Sequence, residues 1–205
     1  MKKISFILAC TMVVISTNPI SAQNDKLAAA FSKSYDYEKN KDYTSAIATL
    51  KEVYNADSYE TNLRMGWLLY SAGQYKESIT LYKLAVDQMP YSIEAKFGYI
   101  YPLYALGNMD QVTEQYKKIL EIDPQNTNAN YQIGLICYYK KDYAAAYKYF
   151  EKVVNLYPFG YDALLMYAWT NFQTGKTREA KVLFNKVLLL SPGDTSALEG
   201  LGLIK

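Results

Sequence analysis

Five sets of large side chains recur along the chain at the spacing i, i+4, i+7. They are Phe31, Tyr35 and Glu38; Leu63, Trp67 and Tyr70; Phe97, Tyr101 and Tyr104; Tyr131, Leu135 and Tyr138; and Leu165, Trp169 and Phe172. That spacing puts each set on one face of a helix. Tyrosine and tryptophan supply apolar area with a polar tip, which is the chemistry of non-covalent recognition. The middle column (Tyr35, Trp67, Tyr101, Leu135 and Trp169) holds both tryptophans and reads as a binding column. The two flanking columns have a plainer reading, as packing between neighbouring helices. Bond-making chemistry has little to draw on. Histidine is absent, which removes the commonest general base and the commonest metal ligand. Carboxylates such as Asp36, Glu38, Asp42 and Glu60 are scattered at positions where charges are ordinarily solvated. No glycine-rich phosphate loop, nucleophile elbow or metal-spaced cluster is present. The expectation is a protein that is not an enzyme and needs no cofactor and no metal.

The elements that must carry these rings show in a second periodicity. The blocks Lys41–Ala46, Gly73–Ser78, Gly107–Val112, Lys141–Ala146 and Gly175–Ala180 end 32, 34, 34 and 34 positions apart. The last four are each followed by a proline: Pro90, Pro124, Pro158 and Pro192. A fixed period of this length with two helical stretches per unit implies a solenoid. With position 1 at Leu27, Tyr59, Ile93, Thr127 and Tyr161, position 8 holds Ser34, Gly66, Ile100, Gly134 and Ala168. Position 20 holds Ala46, Ser78, Val112, Ala146 and Ala180, position 24 Leu50, Tyr82, Tyr116, Phe150 and Phe184, and position 27 Val53, Ala85, Ile119, Val153 and Val187. Positions 20, 24 and 27 form one helical face. Gly or Lys at position 15 breaks between the two helices, and the proline stops the second. Stacking of the units supplies the core that no single unit can bury.

The N-terminus adds a targeting signal. Lys2 and Lys3 precede an apolar run from Ile4 to Ile15 and a small-residue site ending at Ala22, the layout of a secretory signal peptide. Cleavage after Ala22 is expected, with export to the periplasm or cell envelope. A lipoprotein signal with Cys10 lipidated ranks below it, as does an uncleaved anchor. The run is too short for a comfortable transmembrane span. Cleavage removes two lysines and no acid, leaving 20 basic and 20 acidic residues. A neutral chain argues against nucleic acid as a partner. Cys137 then remains alone, so no intrachain disulfide can form, and a buried thiol is expected.

Small residues at position 8, Gly at 15, Tyr at 17, small residues at 20, aromatics at 24 and Pro at 32 resemble the tetratricopeptide repeat family, over residues 27–194. The resemblance implies an all-α, right-handed α-solenoid of five helix-turn-helix units (27–58, 59–92, 93–126, 127–160 and 161–194). Residues 1–22 are the leader, 23–205 the repeat domain, and 195–205 a capping helix. Position 4 departs from the family pattern with Ala30, Asn62, Lys96, Asn130 and Leu164, and Ile100 and Val112 are bulky where small residues are usual. Unit one lacks the closing proline, having Ser58 instead. The resemblance also places the first helices along a concave groove. The groove residues it implies are Phe31, Tyr35, Leu63, Arg64, Trp67, Tyr70, Phe97, Tyr101, Tyr104, Tyr131, Tyr138, Trp169 and Phe172. The family's carboxylate clamp uses Lys and Asn where this chain has aromatic and aliphatic residues. Arg64 alone offers a groove cation, so the clamp is rejected.

Pro102 falls inside the first helix of unit three, where it removes a hydrogen bond to the Gly98 carbonyl at a cost of roughly 3 kcal/mol. It reads either as a tolerated kink or as a bend that opens the groove midway. The function expected is a non-enzymatic scaffold that binds a protein or peptide partner in an aromatic groove, with association to envelope complexes. The alternative is a glycan-binding protein using the same rings, with Asp162, Asn128, Gln132 and Asn171 as its polar complement.

Overall fold

The computed structural model describes residues 19–204, which hold eleven helices and no strand. They are α1 (Pro19–Lys39), α2 (Tyr43–Lys51), α3 (Tyr59–Ser71), α4 (Tyr75–Gln88), α5 (Ile93–Ala105) and α6 (Met109–Ile122). They continue as α7 (Thr127–Tyr139), α8 (Tyr143–Leu156), α9 (Tyr161–Gln173), α10 (Thr177–Leu190) and α11 (Thr195–Leu203). Two compact bodies result. One ends at Tyr54 and contains α1 and α2; the other, from Asn55 on, contains α3 to α11. In the second body each helix packs on the next. The first helices of neighbouring repeats also touch, α3 on α5, α7 on α9 and α9 on α11. The second body is an all-α solenoid of helix-turn-helix repeats, with α11 packed on α9 and α10.

Rings set the helix pairing. A Cβ added to Gly66 would lie 3.0 Å from the Tyr82 ring, and one added to Gly134 would lie 2.7 Å from Phe150. The second helix therefore lays its position-24 ring directly on the backbone of its partner. Ser78 Oγ, at position 20, donates to the Gly66 carbonyl at 2.7 Å, closing the same contact. In repeat three, with Ile100 at position 8, the close approach moves to Gly98. Its Cβ would stand 2.1 Å from the same Tyr82 ring, so that ring is wedged between two backbones. Ile100 and Val112 are then free to be bulky, and both are core residues.

Position 15 makes the turn. Gly73, Gly107 and Gly175 have φ of 76°, 73° and 77°, and Lys41 and Lys141 adopt φ of 59° and 62° in the same place. The next amide reaches back to the preceding helix, as Gln74 N does to Leu69 O at 2.8 Å and Asp142 N to Cys137 O at 2.9 Å. This is the glycine-type helix terminus, and two repeats build it on lysine.

The polar residues at position 4 are structural ties. Asn62 Nδ2 donates to the Ala56 carbonyl at 2.7 Å and Asn130 Nδ2 to the Pro124 carbonyl at 3.0 Å. Lys96 Nζ donates to the Pro90 carbonyl. Each binds the turn before a repeat to that repeat's first helix, and all three side chains are buried. Burial and the Lys118 charge push the Lys96 ammonium's pKa down. In repeat five the position holds Leu164, fully buried in the core.

The first body differs from the sequence expectation. Helix α1 begins at Pro19 rather than near Leu27, and α2 has 9 residues where α4, α6, α8 and α10 have 14. Along α1 the first buried side chain among the described residues is Ala30. Residues 1–18, which hold most of the expected leader and Cys10, lie outside the described residues. No described helix is long and apolar enough to cross a membrane. Cys137 is half-buried rather than fully enclosed, and burial with the Asp142 charge pushes its thiol up.

Candidate aromatic binding surface

Helices α3 and α5 and the start of α4 bring four rings together. Trp67 and Tyr70 lie 5.8 Å apart by ring centroid, and Trp67 meets Tyr101 edge-on at 6.3 Å. Tyr70 stacks on Tyr101 at 5.6 Å and 29°, and Tyr75 at the start of α4 joins Tyr70 at 5.8 Å. The i, i+4, i+7 spacing puts Leu63, Trp67 and Tyr70 on one face of α3. Packing of α3 against α5 brings Tyr101 across to them. Trp67 is 37 % exposed, Tyr101 47 % and Tyr104 65 %. The patch is thus an open aromatic surface with phenol tips, not a closed core. Beneath it Phe97 packs edge-on against Tyr116, 6.3 Å away. Burial, aided by the Tyr101 and Tyr104 phenols, pushes the Tyr116 pKa up to about 12. A phenol held neutral in this way can donate a hydrogen bond but does not act as a base near neutrality.

The remaining expected residues fall elsewhere. Trp169 meets Phe184 at 5.1 Å and Phe172 at 5.8 Å, both edge-on, and its Nε1 donates to Ser196 Oγ of α11 at 2.8 Å. It packs α9 to α10 and α11 and is not brought to Trp67. Tyr131 lies against Phe150 at 5.9 Å, and Tyr138 against Tyr143 at 5.2 Å. Arg64 is buried, near enough to Tyr82 for its charge to offset part of that phenol's burial-driven rise. It presents no open groove cation. Phe31 and Tyr35 belong to the first body, where Tyr35 is exposed and Phe31 half-buried. Tyr75 was missed by sequence reasoning. Its only signal was tyrosine at position 17, which reads as a turn signature.

Pro102 sits inside α5, and the helix continues through it to Ala105. Helices α5 and α7 approach each other less closely than α3 and α5 do. A recess of 310 Å³ lies between the starts of α7 and α9. Asn128, Tyr131, Tyr157, Tyr161 and Asp162 line it. Charges elsewhere are paired along single helices, Lys83 with Asp87 and Lys118 with Glu114, both at 2.6 Å. Such exposed pairs are worth little. Among the described residues no three His, Cys, Asp or Glu side chains stand together as a metal site.

Residues 138–202 match the tetratricopeptide repeat family model. The chain carries tetratricopeptide repeats. Among curated relatives this repeat protein is 25% identical over 199 residues to human anaphase-promoting complex subunit 7, covering 95% of the chain and 34% of that protein. It is 24% identical over 172 residues to the TPR repeat-containing protein YpiA of Bacillus subtilis, covering 84% of the chain and 38% of that protein. The chain therefore spans only about a third of the length of these relatives. Its fold matches a solved tetratricopeptide repeat protein from Parabacteroides merdae with a TM-score of 0.73 at 22% identity, covering 86% of this chain and 71% of that one. It also matches MamA from Desulfovibrio magneticus with a TM-score of 0.68 at 18% identity, covering 83% and 98%.

Proposed function

We propose that this repeat protein is a binding module that works by recognition rather than catalysis, and that it holds a protein or peptide segment on the rings of α3 and α5. The observation that carries this reading is the exposed set Trp67, Tyr101 and Tyr104, with half-buried Tyr70 beside it. Large amphipathic rings open to water, one of them stacked on Tyr70, are the residue types that anchor interfaces. Repeat-built proteins of this kind commonly act as protein-interaction scaffolds. The test is a pull-down from envelope extract with the native chain, Trp67→Ala and Tyr101→Ala, each variant checked by thermal melting. Partner affinity should fall by roughly 2 kcal/mol or more for each ring removed. Variants that melt normally and bind normally would sink the reading. We also propose export, with cleavage near Ala22. Mass spectrometry of the processed protein should begin at or within a residue or two of Gln23, and a lipid-modified Cys10 would overturn it.

One observation favours a second reading, glycan binding. Asn128 and Asp162 share a recess with three tyrosines and so put amide, carboxylate and ring together. Asn171, by contrast, is spent on the Tyr167 carbonyl at 2.8 Å. Titration with oligosaccharides, compared between the native chain and Asp162→Ala, separates this reading from the first.

A further inference from the structure

Charge is sorted between the two sets of helices in the second body. On the first helices α3, α5, α7 and α9 the exposed charged side chains are Glu60, Glu94 and Asp162. All three stand at position 2 of their repeats, and Asn128 fills that place in repeat four. The two cations of those helices, Arg64 and Lys96, are buried, and Lys96 is tied to the Pro90 carbonyl. Exposed lysines lie instead on second helices: Lys76 and Lys83 on α4, Lys117 on α6, and Lys148 and Lys152 on α8. Glu60 and Glu94 hold hydroxyls. Ser58 Oγ donates to Glu60 at 2.8 Å, and the Tyr59 phenol donates to Glu94 at 3.4 Å. The Glu60 backbone amide and the Ser58 hydroxyl keep the Glu60 carboxyl below its ordinary 4.5, so it is ionised near neutrality. Seven residues on, two turns along the same helix face, Glu60 leads to Trp67 and Glu94 to Tyr101. The exposed rings of α3 and α5 therefore share their face with carboxylates, and neither helix exposes a cation.

We propose that the segment received by this surface is basic: an extended stretch of a partner protein that lays arginine side chains over Tyr101 and Tyr104 and toward Glu60 and Glu94. The inference rests on the recognition reading above and adds the partner's charge. A phenol face attracts a guanidinium held within about 6 Å of the ring centre, and arginine's planar fork both stacks on rings and grips a carboxylate with two hydrogen bonds. The fold already makes one contact of this kind, with Lys176 Nζ 3.6 Å from the centre of the Tyr147 ring. Packed helices lie about 8–10 Å apart and an extended chain advances about 3.3 Å per residue, so one arginine per first helix means arginine at about every third residue. Exposed ion pairs are individually weak, so the carboxylates select the sign of the partner and speed its arrival while the rings supply the affinity.

The probe is a short labelled peptide with arginine at every third residue, titrated into the full chain by fluorescence anisotropy. It is compared with the same peptide carrying glutamine or glutamate in place of arginine. The arginine peptide should bind saturably and about tenfold or more tighter than the glutamine peptide, and the glutamate peptide should not bind. Tyr101→Ala should weaken the arginine peptide about tenfold or more. Glu60→Gln with Glu94→Gln should weaken it roughly threefold or more, most strongly at low salt. Asp110→Asn with Glu121→Gln removes the same charge from α6 and should leave binding unchanged. All four acids are exposed, so both double variants should melt near the native chain. The proposal is overturned by no saturable binding of the arginine peptide, by equal binding of the glutamine peptide, or by the α6 pair weakening binding as much as the Glu60 and Glu94 pair. Capture of the native partner that still depends on Tyr101 would then keep the docking surface and discard only the charge. Capture indifferent to Tyr101 would remove both.

Discussion

Tyr82 lies between two glycines, and the tighter of the two gaps sets the cost of filling it. Gly98→Ala would place a methyl well inside contact distance of the Tyr82 ring, while Gly66→Ala would press on it only slightly. With the ring buried it has nowhere to swing. Overpacking of this kind costs about 1–3 kcal/mol, and denaturant melts should show Gly98→Ala at the upper end and Gly66→Ala below it. The lysines in left-handed turns offer the opposite sign. Lys141→Gly removes a strained φ from a position where three sister repeats already use glycine, and should stabilise by up to about 1 kcal/mol. The rings divide in the same way. Phe150→Ala empties a fully buried site and should cost about 3–5 kcal/mol. Trp67→Ala should cost less stability and more partner affinity. Trp169→Ala should resemble Phe150→Ala, because its ring and its Nε1 are both spent inside the fold.

At the scale of elements, the ties at position 4 and the cap of α11 bear the load between repeats. Asn130→Ala removes the buried side chain that ties the Pro124 carbonyl and should destabilise by about 0.5–1.5 kcal/mol, with repeat four opening first in hydrogen exchange. The α11 cap responds to acid. Hydrogen bonds from the Tyr161 phenol and from the Ala197 amide hold the Asp194 carboxyl below its ordinary 3.8. A depressed folded pKa gives stability that is present above the unfolded value and lost as pH falls through the folded one. Amides of α11 should therefore lose protection as pH drops below about 3.8, and Asp194→Asn should flatten that response. Unchanged acid fraying in Asp194→Asn would show that the cap does not control it.

For the whole molecule, the sequence periodicity of small, aromatic and proline positions was enough to read an all-α repeat solenoid. That much is local, because a helix is dictated by apolar residues recurring on one face and a turn by residues that tolerate positive φ. Position 8 could be read as a close contact for the same reason. What the chain did not disclose were contacts between residues far apart along it. Gly98 gave no signal, since its need for a missing Cβ comes from a ring in the preceding repeat. Asn62, Lys96 and Asn130 read as departures from a pattern, because the carbonyls they tie belong to the turns before their own helices. Trp67 and Trp169 occupy the same column and are alike in sequence. Only the stacking of helices leaves one exposed beside Tyr101 and sends the other under α11, because α10 and α11 supply a ring and a hydroxyl that reach it. Periodicity determines which residues share a face. What covers that face is a tertiary fact, decided by neighbours that no local pattern names.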